Sequence, residues 1–192
     1  MLFQIISVLI LFSFYSIYFL KMYIQSRKGI VTNQMGKGNK EESTLLTERV
    51  MQVTVYLIVV VEVISVFCID NIPTNLDVFA AMLGFIGVII FGVSVYTMKD
   101  SWRAGVITTN DTKIVTSGIY KYSRNPAFLA FDLVYVSILI LNFNYVLLIC
   151  TIFVIIMFHF QILQEEKSLP NIFGEEYLEY KAKVCRYFGR KA

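Results

Sequence analysis

The chain has 192 residues, of which 57% are hydrophobic and only 16% are charged. Soluble domains carry about 25% charged residues, so this composition excludes an ordinary globular protein and a disordered chain. The three cysteines, at positions 68, 150 and 185, are too few and too scattered for a disulfide framework or a zinc site. The composition predicts an all-α integral membrane protein, and we expect neither a metal nor a nucleic-acid partner.

Five apolar runs follow one another along the chain, at residues 2–20, 50–69, 78–98, 126–141 and 145–163. Four of them reach the roughly 20 residues that a membrane span needs, whereas the fourth is marginal. The fourth and fifth are joined by Asn142-Phe143-Asn144 alone, which predicts a C-terminal helical hairpin. The first run lacks a basic leader and a small-residue cleavage site, so we expect a retained span.

All 17 Lys and Arg residues fall in three segments, 21–49, 99–125 and 164–192. Basic loops are retained on the cytoplasmic side of a membrane. The sequence therefore predicts about five transmembrane helices in the cell membrane, with the N-terminus outside and the three basic segments in the cytoplasm.

The fourth run opens with Arg124-Asn125-Pro126. Pro126 suits the first position of a helix, and Asn125 is then a suitable N-cap. The free amides at such a helix start favour an anionic group. The alternative is a plain interfacial helix whose arginine contacts lipid phosphates. Asp132 follows Asn125 on the same helix face, and an intramembrane acid suggests function.

The fifth run ends in polar residues, with His159 followed by Gln161, Glu165 and Glu166. The hairpin brings these side chains beside the start of the fourth helix, so we expect a polar cluster there. It can be a simple ion pair or a binding pocket. Asp132 and His159 are the candidate catalytic groups. For Glu62, in the second run, a protonated or hydrogen-bonded packing role is favoured.

The tail at residues 169–181 is predicted to begin with a turn and to continue as an amphipathic interfacial helix, or as a lid over the cluster. Trp102 adjoins basic residues at a membrane exit and is predicted to be an interface anchor. Residues 107–116 suggest a short hairpin or an extended turn.

Together these segments resemble the isoprenylcysteine carboxyl methyltransferase family and the wider membrane phospholipid methyltransferases. The family pattern has a Gly-x-Tyr turn, an Arg-His-Pro or Arg-Asn-Pro helix start, a Glu-Glu pair and Phe-Gly-x-x-Tyr-x-x-Tyr. The corresponding residues are Gly118-Ile119-Tyr120, Arg124-Asn125-Pro126, Glu165-Glu166 and Phe173-Gly174-Glu175-Glu176-Tyr177-Leu178-Glu179-Tyr180.

The resemblance implies S-adenosylmethionine as methyl donor at the cytoplasmic membrane face and a lipid-like or prenylated acceptor. We expect one membrane domain over residues 1–192, with three spans in 1–98 and the catalytic loop, hairpin and tail in 99–192. The residues implied for the cofactor site are Gly118, Tyr120, Arg124, Asn125, Pro126, Phe128, Glu165, Glu166, Tyr177 and Tyr180.

Three positions depart from the eukaryotic carboxyl methyltransferases. Asn125 stands where they carry His, Phe128 where they carry Tyr, and Gln161 where they carry a substrate-associated Arg. The cofactor expectation survives these changes, but a prenylated cysteine as the specific acceptor does not follow.

Carboxyl O-methylation is the favoured activity, and phospholipid amine N-methylation is the alternative. Two further alternatives are an NADPH-dependent reductase like the sterol reductases and a non-catalytic membrane-interaction protein.

Overall fold

The computed structural model describes residues 1–68, 74–106 and 112–191. Its helices are α1 (Leu2–Arg27), α2 (Glu42–Cys68), α3 (Leu76–Met98), α4 (Pro126–Leu141) and α5 (Tyr145–Lys183). Two short 3-10 helices, Lys99–Ser101 and Gly118–Lys121, lie between α3 and α4. Within these described parts the chain forms no β-sheet, only two isolated bridges. The all-α prediction is confirmed, whereas part of the extended turn predicted at 107–116 lies outside the described residues.

Four of the helices, α1, α2, α3 and α5, are long and apolar enough to cross a membrane. They keep many large apolar side chains on their outer surfaces, for example Phe12, Val53 and Ile89, as helices that face lipid do. The fourth helix has 16 residues, or about 24 Å at 1.5 Å per residue. It is therefore shorter than the roughly 30 Å hydrocarbon core, and it begins and ends at the residues that the sequence predicted.

The helix α4 packs mainly on α3, along a stripe of small residues. A β-carbon built on Gly87 would lie 3.0 Å from the carbonyl oxygen of Ala130, and one on Gly84 would lie 2.5 Å from Oγ of Ser137. The Ser137 hydroxyl donates to the carbonyl of Ala80 at 2.7 Å. The two backbones can approach this closely because small residues line the contact.

The turn between α4 and α5 is fixed by its two asparagines. Asn142 Nδ2 donates to Oγ of Ser7 at 2.8 Å, and Asn144 Nδ2 donates to Oγ of Ser65 at 2.9 Å. Oδ1 of Asn144 also accepts from the amide of Leu147 and so caps α5. The predicted hairpin is present, but α5 packs chiefly on α2 rather than on α4.

The first two basic segments meet at the opposite end of the bundle. Gln25 Nε2 donates to the carbonyl of Trp102 at 3.0 Å, and Lys28 pairs with Asp100 at 2.8 Å. Trp102 is only 4% exposed because its loop folds back under α1. The prediction that Trp102 anchors the chain at the interface is therefore wrong.

A buried ion pair stabilises the same end. Glu48 accepts from Lys40 Nζ at 2.8 Å and from the amides of Gly36 and Val106 at 2.8 and 2.7 Å. Both charged side chains are almost completely buried. An acid in such a site is tolerated because its lone pairs are filled by donors.

The last helix does not end where the sequence predicted a turn. It continues through Pro170 and bends at Gly174, whose φ of 57° and ψ of −137° are non-helical. Glycine alone adopts this backbone without strain. The chain therefore bends at Gly174 and not at the start of the tail, where the turn was predicted. Residues 175–183 form the amphipathic tail helix.

We predict that Gly87→Ala destabilises the protein by about 1–3 kcal/mol, the usual cost of overpacking. The added methyl group meets the backbone of α4, which cannot move as a side chain can. Unfolding in mixed detergent micelles measures the change. Gly92→Ala is the matched control, because a β-carbon there comes no closer than 3.6 Å, to Ile17. Equal stability of the two variants would contradict the packing described here.

Candidate functional site

The start of α4 carries Arg124 and Asn125 as predicted, but Asn125 does not cap the helix with its side chain. Its Nδ2 instead donates to Oε1 of Glu166 and to the carbonyl of Arg186, both at 3.2 Å. Its own amide donates to Oγ of Ser123. The capping role predicted for the Asn125 side chain is therefore corrected, because its amide group bonds to α5 and to the C-terminal segment.

Glu166 is the centre of this cluster. Its Oε1 accepts from Arg124 Nη2 at 2.7 Å, and its Oε2 accepts from Arg186 Nη2 at 3.0 Å. Glu166 is 4% exposed and Arg124 5%, while Arg186 is 34% exposed. The hydrogen bonds to Glu166 raise the pKa of Arg186, so this guanidinium stays charged. We call Arg124, Asn125, Glu166 and Arg186 the Glu166 cluster.

The C-terminal turn, residues 184–191, folds back onto the start of α4. The amide of Arg124 donates to the carbonyl of Cys185 at 3.1 Å, and the amide of Gly189 donates to the carbonyl of Tyr122 at 2.7 Å. Gly189 has a φ of 114°, which permits the reversal. This turn brings Arg186 to Glu166. No spacing in the sequence predicts that contact, so Arg186 could not be identified from the sequence.

Three predicted tyrosines pack together beside the cluster. The hydroxyl of Tyr180 donates to the carbonyl of Tyr120 at 2.7 Å, and the rings of Tyr177 and Tyr180 lie 6.4 Å apart. Burial raises the pKa of Tyr120, so its phenol stays protonated. Within the described residues, the buried hydroxyl of Tyr177 has no hydrogen-bond partner. Gly118 opens the short helix that carries Tyr120, with a φ of 59°.

Glu165 differs from its neighbour Glu166. Gln161 Nε2 donates to Oε1 of Glu165 at 3.0 Å, the only hydrogen bond found for this carboxylate in the described structure. The carboxylate lies within electrostatic reach of Glu48 and Tyr120. Oε1 of Gln161 is buried and finds no partner in the part of the chain that the structure describes.

The predicted catalytic pair lies deeper. Asp132 follows Asn125 by seven residues and His159 precedes Glu166 by seven, which places both roughly 10 Å further into the membrane. His159 Nδ1 lies 2.5 Å from the hydroxyl of Tyr187. Oδ1 of Asp132 is buried without a partner among the described residues.

Phe128 lies at the same α4–α5 interface, with its ring 5.5 Å from that of Phe158, and Pro126 is buried at the first position of α4.

A cavity of about 860 Å³ lies between the α1–α2 loop and the segment after α3. Its wall includes Thr97, whose side chain lies 3.0 Å from the position that a β-carbon on Gly118 would take. The structure therefore brings the predicted cofactor-site residues to one end of the bundle, with Phe128 and the predicted catalytic pair one to two turns deeper.

Comparison with known proteins agrees with this geometry. Residues 80–171 match the profile of the isoprenylcysteine carboxyl methyltransferase (ICMT) family. Over 110 residues the chain is 33% identical to the protein-S-isoprenylcysteine O-methyltransferase of Saccharomyces cerevisiae. This match covers 56% of the chain and 46% of the yeast protein, so the chain matches less than half the length of that relative.

A solved structure of a eukaryotic intramembrane Ras methyltransferase, ICMT, shares the fold. The TM-score is 0.59 at 18% identity, over 97% of this chain and 70% of the other. Fold and site together define an all-helical integral membrane protein with a buried ionic cluster at one end of its bundle. More particularly, residues 80–171 of the chain are similar to the ICMT family, so the resemblance predicted from the motifs is confirmed.

We predict that Glu166→Gln destabilises the protein by about 3–5 kcal/mol, the usual cost of removing one partner from a buried ion pair. Two guanidinium groups then share a site without an anion. Urea or detergent denaturation of the purified protein measures the loss. Glu165→Gln is the matched control, since its carboxylate accepts one hydrogen bond from a neutral amide. A Glu166→Gln protein as stable as this control would show that the ion pair does not stabilise the fold.

Proposed function

We propose that the protein transfers a methyl group from S-adenosylmethionine to the carboxylate of a lipid-like, isoprenylcysteine-type acceptor. The observation that carries the proposal is the Glu166 cluster, which joins the Arg124-Asn125 helix start to the Glu165-Glu166 doublet in an ICMT-like fold. The name of the yeast relative supports O-methylation of an isoprenylcysteine. We therefore propose both the activity of this chain and the class of its acceptor.

The residues present fit S-adenosylmethionine. Oε1 of Gln161 and the hydroxyl of Tyr177 are buried polar atoms without partners among the described residues, and Glu165 has lone pairs to accept further hydrogen bonds. An amino group and ribose hydroxyls satisfy such acceptors. The charged and partly exposed guanidinium of Arg186 suits the carboxylate of the donor. Bound S-adenosylmethionine supplies an activated methyl group on a sulfonium sulfur.

The protein's own contribution to this reaction is position. A carboxylate acceptor is already ionised at neutral pH, so no residue has to remove a proton from it. Holding two reactants in line contributes up to about 7–11 kcal/mol in favourable cases. The rigid α4–α5 junction can provide this, because the Glu166 cluster fixes the start of one helix to the end of the other.

The two substrates arrive from different phases. The Glu166 cluster lies at the end of the bundle that carries the basic segments, where a polar cofactor can enter from water. Asp132, Phe128 and His159 lie deeper, between helices whose outer surfaces face lipid. We propose that the apolar part of the acceptor enters from the bilayer and presents its polar end at this depth.

The proposed orientation places the Glu166 cluster in the cytoplasm. Described contacts join all three basic segments at one end of the bundle, and the positive-inside rule assigns that end to the cytoplasm. In a variant without natural cysteines, we expect Thr74→Cys to react with an impermeant thiol reagent applied to whole cells. Asn39→Cys should react only after permeabilisation. The reversed labelling pattern would place the site in a compartment without the cofactor.

The activity is tested with purified protein, labelled S-adenosylmethionine and a farnesyl thioether of cysteine. We expect a base-labile methyl ester, and Glu165→Gln should weaken cofactor binding about 10- to 150-fold, because hydrogen bonds to charged groups contribute about 1.5–3 kcal/mol. Glu176→Gln, an exposed acid on the tail helix, is the control.

The other outcomes identify the alternatives. A base-stable product from a phospholipid amine would establish N-methylation instead. Binding of a dinucleotide in place of S-adenosylmethionine would indicate a reductase. If neither compound binds and Glu165→Gln changes nothing, the protein is not an enzyme of this class.

A further inference from the structure

Tyr187 is a residue that the sequence did not single out. Its hydroxyl lies 2.5 Å from Nδ1 of His159, and the two rings are stacked with centroids 6.1 Å apart. The two residues are 28 positions apart, one on α5 and the other on the C-terminal turn. His159 is the one histidine of the chain.

The Glu166 cluster determines where Tyr187 lies. The preceding residue, Arg186, pairs with Glu166 through its side chain and accepts from Nδ2 of Asn125 through its carbonyl. Two residues later, the amide of Gly189 is bonded to Tyr122. Tyr187 is therefore held on both sides, and its phenol is directed at His159 by the same contacts that join α4 to α5.

In this contact the Tyr187 hydroxyl is the hydrogen-bond donor and Nδ1 of His159 is the acceptor. A neutral imidazole has one nitrogen that donates and one that accepts. Burial, and next the carboxylate of Asp132, raise the pKa of Tyr187, so its phenol keeps its proton and can donate it to Nδ1. The proton of the imidazole then resides on Nε2, which becomes a donor on the side of the ring away from Tyr187.

We propose that Tyr187 is a positioning residue that holds His159 in the Nε2–H tautomer, so that His159 donates a hydrogen bond to the acceptor's carboxylate. The proposal rests on the proposed function for its acceptor. In the transfer a C–O bond forms, the C–S bond breaks, and its electron pair remains on sulfur. No proton moves in this step. The N–H group of His159 therefore orients the acceptor, and the reaction needs no base at this position.

Asp132 does not act as a base in this proposal, and its negative charge weakens binding of the acceptor. Its carboxylate lies within electrostatic reach of the same phenol, and an ionised Asp132 repels a carboxylate acceptor. Asp132→Asn removes the charge at nearly constant size. The KM of a carboxylate acceptor should therefore fall in this variant, whereas loss of a catalytic base would lower kcat.

The tautomer is measured on ¹⁵N-histidine-labelled protein in detergent, without substrates. Because the chain has one histidine, a single imidazole spin system reports the site. We expect the Nε2–H form in the parent and in Tyr145→Phe, an exposed tyrosine at the far end of the bundle. Tyr187→Phe should show a mixture of both tautomers. An Nδ1–H form in the parent, or an unchanged tautomer in Tyr187→Phe, would overturn the proposal.

Kinetics with the farnesyl thioether of cysteine test the role in acceptor binding. Tyr187→Phe should raise the acceptor KM about twofold, because an even mixture of tautomers leaves about half of the imidazoles able to donate, at unchanged cofactor affinity. His159→Gln keeps an N–H donor and should retain activity that His159→Ala loses. An unchanged acceptor KM in Tyr187→Phe overturns this inference alone. A parent that methylates no carboxylate at all refutes the proposed function, and the role of His159 with it.

Discussion

The structure depends on one carboxylate. Glu166 accepts hydrogen bonds from Arg124 and Asn125, just before α4, and from Arg186 on the C-terminal turn. These three segments are far apart in sequence, and an acid buried to this degree is stable only when its lone pairs are filled by donors. The arrangement of α4, α5 and the C-terminus is therefore set jointly, because removing any one donor leaves a lone pair of Glu166 without a partner in a site of low exposure.

A second buried acid joins the first basic segment, residues 21–49, to the second, residues 99–125. Glu48 binds Lys40 and the amides of Gly36 and Val106, which fixes the α1–α2 loop to the segment after α3. The two acids lie at the same end of the bundle as all the basic loops. Charge-assisted hydrogen bonds thus hold the described parts of these loops together, alongside a small apolar cluster that packs Tyr120 against Tyr177, Tyr180 and Val184.

Much of this could be predicted from the sequence because the signals were local. The apolar runs predicted the helices, Pro126 predicted the first residue of α4, and the short Asn142–Asn144 turn predicted that Arg124 and the glutamate doublet meet. The positions of Arg186 and Tyr187 could not be predicted, since they depend on a chain reversal at Gly189 that no spacing reveals. Trp102 was predicted wrongly for a similar reason. Its burial follows from a long-range hydrogen bond between Gln25 and its carbonyl, whereas its neighbours in sequence are those of an interface anchor.

The glutamate doublet shows why adjacent identical residues need not share a role. Successive side chains on a helix point about 100° apart, so Glu165 and Glu166 face different surroundings although they are neighbours. Glu166 faces two guanidiniums and an amide, and both its oxygens are occupied. Glu165 faces the interior near Tyr120 and accepts one bond from Gln161. Glu166 thus holds the helices together, while Glu165 has lone pairs left to accept hydrogen bonds from a ligand. Substitutions at the two positions should therefore separate stability from binding, which a pair acting as one unit could not do.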